Sequence, residues 1–213
     1  MNRLLTGGTS LNSFIKIFDN LVPKSLCDDL IHEYGNDLDV WNTSAILGSI
    51  DNPNQVKKSF RSSEGVNISD RSVLNKNYKV RSVLDKAVFD CVSEGIKKYS
   101  ELYPDIRITK DTGYEVLKYS SGGFYKQHVD SFNQKEITQN EAGELAVLGC
   151  REISCVIQLN DNFEGGGLSF FDDTHRIPIK TGSAVYFPSN FMFPHQALTV
   201  TKGFRYTIVT WFN

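Results

Sequence analysis

The alternation of apolar and polar positions changes character once along the chain, near residue 110. Before that point helical spacing dominates. Phe14-Ile15-Lys16-Ile17-Phe18 alternates in part and predicts a short entry strand. Asp19 to Lys24 turns the chain. Ser25 then caps a helix predicted over about Leu26 to Tyr34, with Leu26, Leu30 and Ile31 on its apolar face and Cys27 beside them. Residues 42–70 are rich in Asn, Ser, Asp and Gly, and predict loops with one short strand among them. A second helix is predicted from about Ser82 to Leu102, where Val83, Ala87 and Cys91 trace an apolar stripe that Leu84 and Val88 widen. Pro104 ends it.

Beyond residue 110 short apolar runs are separated by turns. The predicted strands are Gly113–Tyr119, Phe124–Val129, Glu152–Leu159, Leu168–Phe171, Arg176–Ile179, Ala184–Phe187, Gln196–Val200 and Phe204–Phe212. Glycine marks the turns, in Ser121-Gly122-Gly123, Gly165-Gly166-Gly167, Thr181-Gly182 and Lys202-Gly203. About eight short strands at this spacing predict a sandwich or barrel, with the two helices covering one face. The expected fold class is α+β: a double-stranded β-helix (jelly roll) with N-terminal supporting helices. Residues 1–110 would be the helical support and 111–213 the jelly-roll core of a single domain.

Composition adds limits. A chain of 213 residues is the size of one domain and buries enough surface to fold without a disulfide or metal staple. Lys and Arg total 23 against 25 Asp and Glu, a net charge of −2 that argues against a bulk polyanion such as duplex DNA as partner. The 14 Phe and 9 Tyr support a β-rich core. Cys27, Cys91, Cys150 and Cys155 contain no CxxC pair, and read as free thiols in a reducing compartment. Met1 to Ser13 lacks the apolar stretch of a signal peptide, and no run is long enough to span a membrane. The expectation is a soluble cytoplasmic protein.

Candidate chemistry begins with four histidines. His32, in the first helix, and His175, in the polar turn Asp172–Arg176, read as structural or solvated. His128 differs, because His128-Val129-Asp130 closes a predicted strand and residues i and i+2 of a strand share a face. An imidazole and a carboxylate thus project side by side, two of the three ligands of a 2-His-1-carboxylate site for non-haem Fe(II). His195 begins a later strand that a jelly roll can bring across to them. Ten residues further on, alternation puts Arg205, Thr207, Val209 and Trp211 on one face of the last strand. Phe204, Tyr206 and Ile208 fall on the other, against the helices. An Arg inside a barrel needs an anionic partner. A dicarboxylate cosubstrate would supply it, held by the guanidinium fork with the Thr207 hydroxyl alongside.

The order HxD, then His, then Arg resembles the Fe(II)- and 2-oxoglutarate-dependent dioxygenases, and within them most of all the prolyl 4-hydroxylase family. The resemblance runs through Leu117-Lys118-Tyr119, Gly123 to Asp130, Arg151 to Asn160, Gly165 to Phe170, Gly182 to Pro188, His195 and Gly203-Phe204-Arg205. Phe18-Asp19-Asn20-Leu21 and Cys27 to Ile31 are similar to the family's entry strand and helix. It implies His128, Asp130 and His195 as iron ligands and Arg205 as the partner of the distal carboxylate of 2-oxoglutarate. Tyr119 matches a cosubstrate-side tyrosine. Gln158 stands where oxygen-sensing members carry a second such tyrosine, and its amide could donate to the same carboxylate.

The cofactors implied are Fe(II), 2-oxoglutarate and O2, with ascorbate supporting activity. The reaction implied is hydroxylation of proline in a peptide or protein, with release of succinate and CO2. Trp211 and Phe187 would wall the site, Arg61 would lie on a substrate-side loop, and Ser131 to Gly149 would form a lid or flap. Two alternatives stand beside this reading. One is an oxygenase acting on a free amino acid, another small molecule or a nucleobase. The other is a jelly-roll binding module without redox chemistry.

Overall fold

The computed structural model describes residues 10–49, 52–131, 137–139, 145–147 and 151–213. A 3-10 helix (Leu11–Phe14) leads into β1 (Lys16–Phe18) and α1 (Lys24–Gly35). A second 3-10 turn (Leu38–Val40) precedes β2 (Asn42–Thr43), β3 (Ile46–Ser49), β4 (Asn52–Gln55), β5 (Arg61–Ser62) and β6 (Glu64–Asn67). Helices α2 (Arg71–Lys76) and α3 (Tyr78–Leu102) follow. The strands after them are β7 (Glu115–Tyr119), β8 (Phe124–His128), β9 (Ile137–Gln139), β10 (Leu145–Val147), β11 (Ile153–Gln158) and β12 (Glu164–Gly165). The chain closes with β13 (Leu168–Phe170), β14 (His175–Arg176), β15 (Ala184–Pro188), β16 (His195–Ala197), β17 (Val200–Lys202) and β18 (Arg205–Phe212).

Two antiparallel sheets carry the site. The larger has the order β1-β15-β11-β18-β7-β6-β2, and the smaller β14-β13-β16-β8-β5. The outer face of the larger sheet takes α1 and α3. Leu26, Leu30 and Tyr34 of α1 and Leu84, Val88, Val92 and Tyr99 of α3 form one core with Val116, Ile153, Ile157, Tyr186 and Ile208. Its inner face supplies Val185 and Phe187 to a second core with Leu168 and Phe170. Leu117, Tyr119 and Val209 form a third with Ala197 and Val200. Arg81 of α3 ties the helical layer together: it pairs with Glu33 and Asp37, each at 2.7 Å, and donates to the Val73 carbonyl at 2.9 Å.

Several expectations change. The first helix begins earlier, at Lys24, with Pro23 rather than Ser25 at its N-cap; fixed φ suits proline to a helix entry. The second begins at Tyr78, and its buried row is Leu84, Val88, Val92, Gly95 and Tyr99. Val83 is 64 % exposed, because the core-facing row lies one residue further round. Phe204 is 50 % exposed, since it precedes β18 and the sheet does not cover it. The Asn- and Ser-rich stretch 42–70 holds five short strands rather than one. Three of them, with β1, extend both sheets, so residues before 110 supply sheet as well as helix. Here pairing with β7 and β8 overrides weak local propensity. Cys27, Cys91 and Cys155 are free, and burial pushes the thiols of Cys27 and Cys155 up to about 11 and about 12. Cys150 lies outside the described residues, as does most of the expected lid. Within that lid β9 and β10 pair antiparallel.

The contact between α3 and the sheet leaves no room for a side chain at Gly95. A Cβ there would meet the Tyr186 hydroxyl and stand 2.7 Å from Leu21 Cδ2, while that hydroxyl donates to the Val92 carbonyl at 3.1 Å. Gly95→Ala is therefore expected to destabilise the protein by about 1–3 kcal/mol, despite alanine's better helix propensity. A lower denaturant midpoint at unchanged m would register this; an unchanged midpoint would refute the close packing.

Candidate active site

The inner faces of the two sheets enclose a cavity of about 240 Å³. Strand pairing explains how separated residues meet in it. His128 ends β8 and His195 begins β16, and the two are register partners across the smaller sheet. Their ring centroids lie 4.3 Å apart. Asp130 follows two residues after His128 and turns its carboxylate back between the rings. Its oxygens are 3.5 Å from His128 Nε2 and 3.5 Å from His195 Nε2. The three side chains can present ligand atoms all within 4.8 Å of one another.

Both imidazoles are held in one tautomer. His128 Nδ1 lies 2.8 Å from the Lys126 carbonyl and His195 Nδ1 3.1 Å from the Phe193 carbonyl. A carbonyl only accepts, so each Nδ1 donates and each ring turns its Nε2 toward Asp130. Burial pulls the His195 pKa down to about 4, which keeps its ring neutral. Burial also acts to raise the Asp130 pKa, but His195 and His128, which are protonated at the low pH where that acid titrates, and the Ser154 hydroxyl outweigh it and hold the acid below the usual carboxylate range. An ionised carboxylate and neutral imidazoles are the forms that bind a metal.

Sequence reasoning missed the support of this set. The Ser154 hydroxyl donates to Asp130 Oδ2 at 2.7 Å and lies 2.7 Å from the Ser189 hydroxyl. The Asp130 and Ser131 amides donate to the Ser189 carbonyl at 3.2 and 2.8 Å. The signal was a polar residue at an inward position of β11, a strand otherwise buried on both faces. Tyr125 was missed as well. Its ring stacks on His128 with centroids 3.5 Å apart, and the Arg61 guanidinium lies 4.6 Å from the centroid of the same tyrosine ring. Phe187 packs its edge against His195 at 4.8 Å rather than lining the cavity.

The opposite end of the cavity is built on β18 and β7. Arg205 pairs in register with Tyr119, and Thr207 with Leu117. Arg205, Thr207, Val209 and Trp211 all line the cavity, as alternation predicts. Arg205 is 3 % exposed and its guanidinium lies 5.4 Å from the Tyr119 ring centroid. Burial lowers its pKa, partly offset by Tyr119. Its Nε donates to Gln158 Oε1 at 3.1 Å. Among the described residues no carboxylate pairs with it. Gln158 does not line the cavity; its amide nitrogen donates to the Asn160 carbonyl at 2.7 Å and the Tyr206 carbonyl at 3.4 Å. It therefore touches Arg205 rather than the space where a ligand would sit.

Arg61, Glu115, Arg151 and Trp211 line the part of the cavity away from Arg205. The Arg151 guanidinium lies 3.5 Å from the Trp211 ring centroid. Glu115 and Tyr119 are four residues apart on β7, about 13 Å along a strand. Burial raises the Glu115 pKa against the pull of Arg61 and Arg151. His32 is exposed on α1 and His175 lies in β14, and neither joins the donor cluster.

The donor set suits Fe(II): two imidazole nitrogens and one carboxylate on one side leave positions open on the other. The buried cation, with no anionic partner from the described residues, suits a dicarboxylate. Comparison with known proteins agrees. Residues 114–213 match the family model of the 2OG-Fe(II) oxygenase superfamily. Prolyl 3-hydroxylase 1 of Gallus gallus is 37 % identical over 137 residues, 57 % of this chain. The chain spans about a fifth of that relative's length, 19 %.

Two solved structures share the fold at low identity. A prolyl hydroxylase from Trichoplax adhaerens, in complex with a hypoxia inducible factor oxygen degradation domain peptide fragment, superposes with TM-score 0.65 at 17 % identity. The match covers 93 % of this chain and 83 % of that one. The viral collagen prolyl hydroxylase of Paramecium Bursaria Chlorella virus-1, as its 2OG complex, gives 0.61 at 15 % identity, over 93 % and 95 %. Residues 114–213 thus resemble the 2OG-Fe(II) oxygenase superfamily, and part of the chain is similar to a prolyl 3-hydroxylase.

Proposed function

We propose that this chain is a dioxygenase that uses Fe(II), 2-oxoglutarate and O2 to hydroxylate proline in a peptide or protein. One observation carries the reading: a single cavity joins the His128–Asp130–His195 donor set to buried Arg205, which no carboxylate of the described residues neutralises. The enclosure of that cavity between two antiparallel sheets supports a double-stranded β-helix as the fold, with residues 1–110 as support and 111–213 as catalytic core of one domain.

In this reading His128, Asp130 and His195 hold the metal, and Arg205, with Thr207 and Tyr119 beside it, takes the distal carboxylate of 2-oxoglutarate. When bound, the metal and 2-oxoglutarate activate O2, releasing succinate and CO2 and passing one oxygen atom to a substrate C–H bond. The protein contributes orientation and enclosure. The carbonyls of Lys126 and Phe193 keep both Nε2 atoms aimed inward. Ser154 holds one Asp130 oxygen and so limits the ways the carboxylate can turn. Tyr125, Arg151 and Trp211 give the substrate side aromatic and cationic walls. Burial pushes the Tyr125 phenol up to about 12, so it stays protonated through the physiological range.

Ser154→Ala removes the hydrogen bond to Asp130 while leaving all three donors. Outer-shell changes of this kind cost about 10–100-fold in metal affinity. Competition with a chelator should show that loss with folding intact, and an unchanged affinity would remove Ser154 from the account.

The activity is tested by incubating the protein with Fe(II), ascorbate and 2-oxoglutarate, with and without a proline-rich peptide. Expected are peptide-stimulated succinate and a gain of one oxygen on proline, with amino-acid analysis separating 3- from 4-hydroxyproline. Absence of succinate in both incubations would refute the reading.

A further inference from the structure

We infer that Gln158 is a positioning residue for the cosubstrate, fixing which edge of the Arg205 guanidinium faces the cavity. The inference rests on the proposed 2-oxoglutarate site and concerns how that site is oriented.

A primary amide has two N–H donors on one atom and an acceptor on the other. Gln158 Nε2 has two main-chain oxygens in front of it, Asn160 O at 2.7 Å and Tyr206 O at 3.4 Å. Turning the amide over would set oxygen against oxygen, so the network determines its orientation. Oε1 is thereby left facing Arg205, and accepts from Nε at 3.1 Å. The Asn160 end is itself anchored. Its side-chain oxygen accepts from the Tyr206 amide at 2.8 Å, and its side-chain nitrogen donates to the Phe204 carbonyl at 2.7 Å. The segment after β11 is thus tied to the start of β18, on either side of Arg205.

A guanidinium offers five N–H donors in a planar fork. With Nε engaged by Gln158, the donors on Nη1 and Nη2 remain, and the end of the fork becomes the edge available to a carboxylate. Gln158 achieves this without charge. A carboxylate at the same position would pair with Arg205 and cancel the field an anionic cosubstrate needs. Gln158 is absent from the cavity wall and Arg205 is present in it, so Gln158 acts through Arg205 rather than on the ligand.

The test is calorimetric titration of 2-oxoglutarate into Fe(II)-loaded protein without O2, comparing wild type, Gln158→Met and Gln158→Glu. Met keeps the stem and removes the acceptor; 2-oxoglutarate affinity should fall by ~10-fold, the order of one hydrogen bond to a charged group. Glu keeps an acceptor but neutralises Arg205, and should cost ~100-fold or more. Fe(II) affinity and the KM for a proline peptide should not move. In an Arg205→Lys background, which lacks Nε, Gln158→Met should have no further effect. Wild-type affinity in both Gln158 variants, or an equal loss from Gln158→Met in the Arg205→Lys background, would overturn the inference. Failure of 2-oxoglutarate to bind wild type at all would instead remove the reading beneath it.

Discussion

His195→Ala is expected to abolish turnover and to cost the protein its metal. His195 is buried among Asp130, Phe170 and Phe187, and among the described residues the donor cluster there holds His128, Asp130 and His195 alone. Loss of a direct ligand must exceed the ~10–100-fold typical of an outer-shell change. The same substitution removes a ring packed against Asp130 and leaves that carboxylate buried with Ser154 and His128 as its side-chain partners. Thermal unfolding with and without added metal separates the two effects. A ligand present at 100 times its Kd stabilises the folded state by about 2.7 kcal/mol. Wild type should show that metal-dependent rise and the variant should not. Wild-type metal stabilisation in His195→Ala would contradict the assignment.

Arg205→Leu should leave the metal in place and remove 2-oxoglutarate. The side chain is buried and engages Gln158 only through Nε, so two terminal nitrogens remain for a bidentate carboxylate. Hydrogen bonds to charged groups contribute about 1.5–3 kcal/mol each. Loss of a pair corresponds to a fall of ~10²-fold or more in 2-oxoglutarate affinity. Arg205→Lys should retain part of it, as a point charge without the fork. Binding measured directly, beside metal affinity measured separately, would check this. Undiminished 2-oxoglutarate binding in Arg205→Leu would place the distal carboxylate elsewhere.

Sheet geometry made the inner residues legible. Arg205, Thr207, Val209 and Trp211 follow the two-residue period of β18, whereas Asp130 lies past the end of β8 at His128 and meets it through a bend rather than through the strand alternation expected for His128-Val129-Asp130. Order along the chain carried the rest of that set, because His195 pairs with His128 only once the smaller sheet forms. What stayed hidden depends on partners distant in sequence. Arg61 was expected on a loop but lies in β5, brought to the cavity by pairing with β8, and Glu115 went unnoticed on β7 beside β6; β5 and β6 have little strand propensity of their own. Ser154 and Ser189 are small polar residues whose hydroxyls matter only because both converge near Asp130. Gln158 was expected to offer its amide to the ligand, whereas its nitrogen faces the carbonyls of Asn160 and Tyr206 and its oxygen faces Arg205: which atoms an amide spends on its own backbone depends on those neighbours. On α3, periodicity identified a helix, while the sheet decided that Leu84 rather than Val83 faces inward.

The central claim is that one cavity holds metal and 2-oxoglutarate in contact. Binding free energies are reciprocal, so each must then strengthen the other. The most direct measurement is calorimetric titration of 2-oxoglutarate into the protein without O2, with and without Fe(II). Expected are one 2-oxoglutarate per chain and a marked gain in affinity when Fe(II) is present, a gain that disappears in His195→Ala. Equal affinity with and without Fe(II) would contradict it.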